Sequence, residues 1–457
     1  MSTVDFAALT LGGTSAPDDS VPETSVRIRG GQPLIGDVKV RGAKNTLPKN
    51  MVASLLTDEE CVLHNVAGVV DVEITAQMID ALGGTVSKPG SGRLTMRTAD
   101  PAVLTPERIG FFVGKSRIPV LICGPLLARC GEVVIPNAGG CAIGPRPIDF
   151  HLDALRRLGA DVREVSGGWR LTASRLRGAK IRLAYPSVGA TEQVLLAAVL
   201  ADGVTELSNA AIEPEIIDLI AVLQKMGATI GVETDRVITI NGVRRLRGFE
   251  HTALPDRLEV ASWACAALAT DGHVRVHGAH QLDMMTFLNT FRRIGGDFRI
   301  LDDHMEFWRG QTLRSVALET DVHPGLMTDW QQPLVVALTQ ANGVSIVHET
   351  VYEDRFGYTQ ALNDMGAQIQ LYSECLGARA CRFGSRDHLH SAVVVGPTKL
   401  RGAEIRIPDL RAGMSYVIAA LVAEGDSTIS NMGLIRRGYE NFEGKLRDLG
   451  ACLLDGD

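Results

Sequence analysis

The sequence has no C-x-x-C pair, no basic excess, no long apolar run and no Walker-type phosphate loop, and each absence removes a class of function. Its eight cysteines form no Cys/His cluster at zinc spacing, so neither a zinc module nor any other metal or redox cofactor is expected. The thiols read as reduced ones in a cytoplasm. A formal net charge of −7 argues against a general nucleic-acid or membrane-surface binder, since both need a basic excess. No apolar run approaches the roughly 18 residues that span a bilayer. Gly110-Phe-Phe-Val-Gly114-Lys115-Ser116 is one residue short of a Walker loop, and two phenylalanines stand where backbone amides would wrap a phosphate. Residues 1–25, rich in Ser, Thr, Pro, Asp and Glu, lack the basic start and apolar centre of a signal peptide and read as a disordered tail.

What is present is a repeat. The pattern apolar-x-x-apolar-Gly-Gly/Ala-x-apolar occurs six times, with central glycines Gly83, Gly159, Gly227, Gly295, Gly366 and Gly450 spaced 68 to 84 residues apart. Apolar residues three apart end an amphipathic helix, the glycine takes the left-handed position after it, and a strand follows. A second pattern, a small-residue helix leading into an alternating strand, interleaves with the first, as in Ala197–Asn209, Ala266–Gly278 and Ala419–Asn431. Six αβ units of this length fit two domains of three units each, divided near Leu254-Pro255-Asp256-Arg257.

Several residues suit anion chemistry, although each has a plain reading when taken alone. Gly42-Ala43-Lys44-Asn45 follows an alternating strand; a Lys beside an Asn at such a turn suits an anion and a hydroxyl, or simply makes a turn. Pro136-Asn-Ala-Gly-Gly-Cys141-Ala-Ile-Gly-Pro-Arg146-Pro147 is an irregular loop, an unusual place for a packing cysteine, and Arg146, Lys115 and Arg117 could lower a nearby thiol pKa. Asp329 opens an apolar helical run, where an Asp is commonly a cap. Arg355, Arg411 and Arg437 each follow a strand-like segment; singly, such arginines are solvated charges.

All these motifs occur together, in order, on the sixfold repeat. In this the chain resembles the UDP-N-acetylglucosamine enolpyruvyl transferases, over about Val26 to Leu453. Gly-Ala-Lys-Asn, Gly-Gly-Cys-x-Ile-Gly-x-Arg-Pro-x-Asp, Pro-Ser-Val-Gly-Ala-Thr-Glu, Thr-Asp-x-Gln, Asp-Leu-Arg and Arg-Gly-Tyr-Glu carry the likeness. It implies an α/β fold of two inside-out domains, each of three βαβαββ units. Residues 44–254 would form one domain, and 26–43, with the first strand, would join 255–457 in the other, with the active site between them. It also implies that Lys44, Asn45, Arg117, Arg146, Arg355, Arg411 and Arg437 hold phosphoenolpyruvate. Arg117, Arg146, Pro147, Ile148, Asp149, Phe150, Ser187, Val188, Gly189, Asp329 and Val351 would contact the nucleotide sugar. Cys141 would protonate the methylene carbon, Asp409 would lie near it, Asp329 would serve as base, and Lys44 would share in catalysis. Arg436, Met327 and Tyr185 depart from residues common at those positions in the family. Two alternatives stand beside this reading: a paralogue acting on a simpler uridine nucleotide such as UMP, and an inactive nucleotide-sugar-binding regulator.

The first expectation is chemical. Fosfomycin, an epoxide phosphonate, should alkylate Cys141 alone among the eight cysteines, faster with nucleotide sugar present, and Cys141→Asp should resist it while keeping part of the activity. Peptide mass mapping that finds the adduct on another thiol removes Cys141 from the mechanism.

Overall fold

The computed structural model describes residues 24–90, 92–98, 116–136, 148–165, 168–379, 381–384 and 386–454. Most of the expected tail and the loop with Cys141, Arg146 and Pro147 lie outside the described residues.

Among the described residues the strands form six sheets, five of four strands and one of three. One arrangement recurs. Lys180–Arg182 runs parallel to Val204–Ser208, which pairs antiparallel with Ile238–Asn241, itself antiparallel to Thr229–Val232. Ala317–Glu319, Gly343–His348, Ser391–Gly396 and Gln368–Tyr372 repeat that order. The three-stranded sheet, Glu132–Pro136, Gly168–Thr172 and Asp161–Val165, keeps its antiparallel part. All six repeat glycines have positive φ, from 83° at Gly450 to 119° at Gly295. The sequence period thus marks the turn from a helix into a strand of each sheet, which in five sheets opens a hairpin and in the sixth pairs with Val26–Arg29.

The chain divides into two compact units, which among the described residues comprise 42–136 with 148–254, and 24–41 with 255–454. Each holds three sheets and its own apolar core. Two N-terminal strands, where one was expected, belong to the second unit. Val26–Arg29 lies between Asp426–Ser430 and Cys452–Leu454, and Ile35–Lys39 runs parallel to His273–His277 in a different sheet.

Helices fill the interior of the second unit. Arg257–Thr270, Thr328–Leu338 and Leu410–Val422 pack against one another, and every residue from Arg257 to Ala269 and from Leu410 to Leu421 is buried. A helix apolar on all sides is stable only when surrounded, and small residues such as Ala261, Ala264, Ala266 and Ala267 let the neighbouring helices approach. Burial leaves helix-end amides without water, so they need protein partners. Asp256 accepts from the amides of Leu258 (2.8 Å) and Glu259 (3.3 Å). Asp409 accepts from those of Arg411 (2.9 Å) and Ala412 (3.2 Å). In the first unit the Ser187 hydroxyl does the same for Ala190. Among the described residues no helix is long and apolar enough to cross a membrane.

The repeat glycines separate two costs. A Cβ on Gly227 would meet nothing within 4 Å, whereas one on Gly366 would lie 2.9 Å from the Lys399 carbonyl oxygen. Gly227→Ala should therefore cost only the left-handed backbone term, about 1–2 kcal/mol, and Gly366→Ala measurably more. Urea denaturation giving equal losses would refute the distinction.

Candidate active site

In the second unit Asp329 lies in the first turn of the Thr328–Leu338 helix, but Met327 is the capping residue and contributes no side-chain cap. The carboxylate of Asp329 is turned to two guanidiniums instead. It accepts from Nη2 of Arg355 and lies 3.6 Å from Nε of Arg411. Both arginines are buried. Burial is the largest single influence and opposes the charge of each, but Asp329 together with Glu349 and Asp409 at Arg355, and with Tyr439 and Asp256 at Arg411, outweighs it, so both pKa values stand above the usual arginine value. Nε of Arg355 and Nη1 of Arg411 are buried without a hydrogen-bond partner among the described residues. Donors left in that state are costly, and an oxyanion would satisfy them.

The support behind this pair was not readable as a motif. Glu349 is fully buried and accepts from the Thr328 hydroxyl (2.9 Å), the Gln331 amide (3.3 Å) and the backbone amides of Val351 (2.8 Å) and Tyr352 (3.1 Å). Burial raises its pKa against the opposing pull of Arg355. Glu349 thereby shapes the turn that carries Val351 and Arg355. Tyr439, two residues past the half-buried Arg437, shares a 2.9 Å hydrogen bond with Ser262. Asp409, expected beside the cysteine as a catalytic group, commits Oδ1 to capping the helix that opens with Leu410 and Arg411. The cap fixes the first helical turn, in which Arg411 stands. Arg436 turns outward to an exposed 2.7 Å ion pair with Glu443.

The first unit gathers a second set. Lys44 pairs with the buried Asp71 at 2.6 Å. The backbone oxygen of Asn45 accepts from Nζ of Lys49 at 2.6 Å, and Lys49 also lies 3.6 Å from Glu192. Asp149 and Phe150 open the Asp149–Arg157 helix, whose N-terminal cap is Ile148, and Ser187 caps the helix that opens with Val188 and Gly189. The two starts meet at His151, since a Cβ on Gly189 would stand 3.0 Å from its ring. Arg117, the cap of Ile118–Leu121, acts on the same ring. Arg117, Ile148–Phe150 and Ser187–Gly189 are thus brought together, with His151 at their centre.

The family model described as EPSP synthase (3-phosphoshikimate 1-carboxyvinyltransferase) matches residues 28–446. This chain belongs to that family. Among curated relatives, the UDP-N-acetylglucosamine 1-carboxyvinyltransferase of Protochlamydia amoebophila is 51% identical over 436 residues, covering 93% of each chain. The protein of the same name from Chlamydia pneumoniae is 46% identical over 422 residues, covering 92% of each. The enolpyruvyl transferase NikO from Streptomyces tendae superposes with a TM-score of 0.82 at 23% identity, covering 94% of this chain and 98% of its own. An EPSP synthase from Acinetobacter baumannii gives 0.74 at 17% identity, covering 94% and 99%; these two likenesses concern the fold. As a member of the family the chain is a 1-carboxyvinyl transferase.

One cluster was not foreseen from the sequence. No zinc spacing is visible along the sequence, yet His348, Cys375, Cys381 and His390 bring one ligand atom each within 4.8 Å of one another. His348 ends the strand Gly343–His348, His390 immediately precedes Ser391–Gly396, and both cysteines lie in the loop that joins Gln368–Tyr372 to Ser391–Gly396, so pairing in the sheet, rather than sequence spacing, assembles them.

Two buried groups of the first unit are shifted in opposite directions. Burial, with Arg117 behind it, pushes the His151 pKa from 6.5 down to about 4. Burial pushes Glu192 from 4.5 up to about 7 against the pull of Lys49. For His151 the unfolded chain binds the extra proton, so its contribution is complete above 6.5 and lost as pH falls towards 4. For Glu192 the folded chain binds the extra proton, so its contribution is complete below 4.5 and lost as pH rises through 7. Glu192→Gln should leave the His151 slope alone. Its stability relative to the parent should then improve steadily from pH 4.5 to 7, by up to about 3 kcal/mol. A difference curve that is flat in urea denaturation across that range removes Glu192 as a titrating group.

Proposed function

We propose that this chain transfers the enolpyruvyl group of phosphoenolpyruvate to the 3-hydroxyl of UDP-N-acetylglucosamine and releases phosphate, the first committed step of peptidoglycan synthesis in the cytoplasm. The observation that carries this reading is 51% and 46% identity, over more than nine-tenths of the chain, to proteins named for that reaction. The buried guanidinium donors around Asp329 support it chemically.

Phosphoenolpyruvate carries nearly three negative charges, and an acidic protein must neutralise them locally. Arg355, Arg411 and Arg437 supply cations from the second unit, and Lys44, Asn45 and Arg117 supply polar groups from the first, with Arg146 from the Cys141 loop. The acceptor hydroxyl adds to C2 while Cys141 gives a proton to C3, forming a tetrahedral ketal. Loss of a proton from C3 then expels phosphate and leaves the enol ether. Ile148, Asp149, Phe150, Ser187, Val188, Gly189 and Val351 hold the nucleotide sugar, together with Pro147.

Asp329 takes the hydroxyl proton in this scheme, and its ion pairs set the timing. A carboxylate held by two guanidiniums is a weak base. Phosphoenolpyruvate competes for those guanidiniums, so its arrival frees the carboxylate when the base is needed. General-base catalysis is worth roughly 10²–10⁴ in rate.

Asp329→Asn should fold normally, still bind nucleotide sugar in calorimetry, and lose turnover by about that factor. Turnover within about threefold of the parent would leave general-base catalysis to another group. Phosphate release from phosphoenolpyruvate should depend on UDP-N-acetylglucosamine; release with UMP in its place would move the chain to the uridine-nucleotide reading. Arg411→Ala should raise the KM for phosphoenolpyruvate far more than that for the sugar nucleotide.

A further inference from the structure

We propose that His348, Cys375, Cys381 and His390 form a structural zinc site that pins the loop between two strands of the second unit. The two histidines are fully buried and the cysteines come from the loop above them. Sγ of Cys375 lies 3.3 Å from Sγ of Cys381 and 3.3 Å from Nε2 of His390. A tetrahedron with metal–sulfur bonds of about 2.3 Å and metal–nitrogen bonds of about 2.0 Å has edges of about 3.3–3.8 Å, so four ligands at these separations need little movement to enclose one ion.

The second layer fixes both imidazoles for this task. Nδ1 of His390 is 2.7 Å from the His388 carbonyl oxygen, which can only accept. That nitrogen therefore carries the proton, and Nε2 keeps its lone pair facing Cys375. Nδ1 of His348 lies 3.3 Å from Oε2 of Glu319, leaving Nε2 buried without a hydrogen-bond partner. A carboxylate or carbonyl behind each histidine is the arrangement that orients metal-bound imidazole. A buried nitrogen without a partner is costly unless something fills its lone pair.

The backbone is built to hold the cluster. His348 ends the strand Gly343–His348 and pairs in register with Ser391, the residue after His390, so two ligands ride on adjacent strands. The loop is drawn down by Glu319, which accepts from the amides of Ala378 (2.9 Å) and Arg379 (3.0 Å). At Gly377 any Cβ would lie 2.3 Å from Nδ1 of His348 and 2.5 Å from Oε2 of Glu319, so only glycine lets the loop pass this close. Two sulfur and two nitrogen ligands select zinc over harder divalent ions. Four protein ligands close the shell, which suits a structural rather than a catalytic ion. On binding, the two thiols lose their protons and the two thiolates neutralise the dication. From the same loop Arg382 donates to the Val351 carbonyl oxygen and lies 3.8 Å from Glu353. Metal at this cluster therefore also steadies the turn that carries Arg355.

Full-length protein purified without chelator should contain about one zinc per chain by plasma mass spectrometry, and Cys375→Ser should lose it. Wild-type protein stripped of metal should take up cobalt with the intense visible bands of a tetrahedral thiolate complex, a readout that stands even where the variant does not fold. Wild-type protein that binds neither ion overturns the proposal. So does zinc retained in folded Cys375→Ser, or a Cys375–Cys381 disulfide in peptides mapped from the native protein.

Discussion

The charge balance around Asp329 follows from a single constraint, that the second unit buries its helices whole. Arg411 stands at the first turn of one of these helices, where the backbone dipole disfavours a cation, and it is also out of water. Such a group needs carboxylates close by, and Asp329 and Asp256 supply them from the starts of the two neighbouring helices. Arg355 reaches the same carboxylate from a turn braced by Glu349. The outcome is a rigid pair of guanidiniums with donors left over, held by the fold before any anion arrives.

The first unit solves the same problem differently. Beside Arg117 it uses two lysines, each set against a buried carboxylate, Lys44 on Asp71 and Lys49 on Glu192. A lysine is a compact point charge on a flexible stem, while an arginine offers a planar fork. The lysine-bearing turn suits a hydroxyl or a single phosphate oxygen, and the arginine pair suits a carboxylate or phosphate held on two sides. His151, kept neutral by burial, sits where the segments around Ile148 and Gly189 touch. A neutral ring there adds no charge to a surface already holding Arg117.

Much of the fold was legible because its repeat is written in backbone chemistry. Six glycines at helix ends predicted six turns from helix into strand, and all six have positive φ. The site was legible as residue types but not as partnerships. Asp329 could be read as cap or base from its place at a helix start; its side chain makes no capping bond and meets two arginines instead. Asp409, expected as a catalytic group, also caps a helix through Oδ1, a contact that its motif did not announce. Glu349 and Asp71 carry no motif of their own, since a lone acid beside a strand end or in a helix has many ordinary explanations.

The sequence by itself determined the period, the helix-to-strand turns, the two sets of three units and the family, because these depend on neighbours within a few residues of one another. Only the tertiary structure decided which charges meet. Arg411 and Asp329 are far apart in the chain and come together because two buried helices start side by side. His348 and His390 are joined by strand register, and the cysteines reach them because Gly377 leaves no side chain in the way. Contacts of that kind are set by packing in three dimensions, and no linear spacing encodes them.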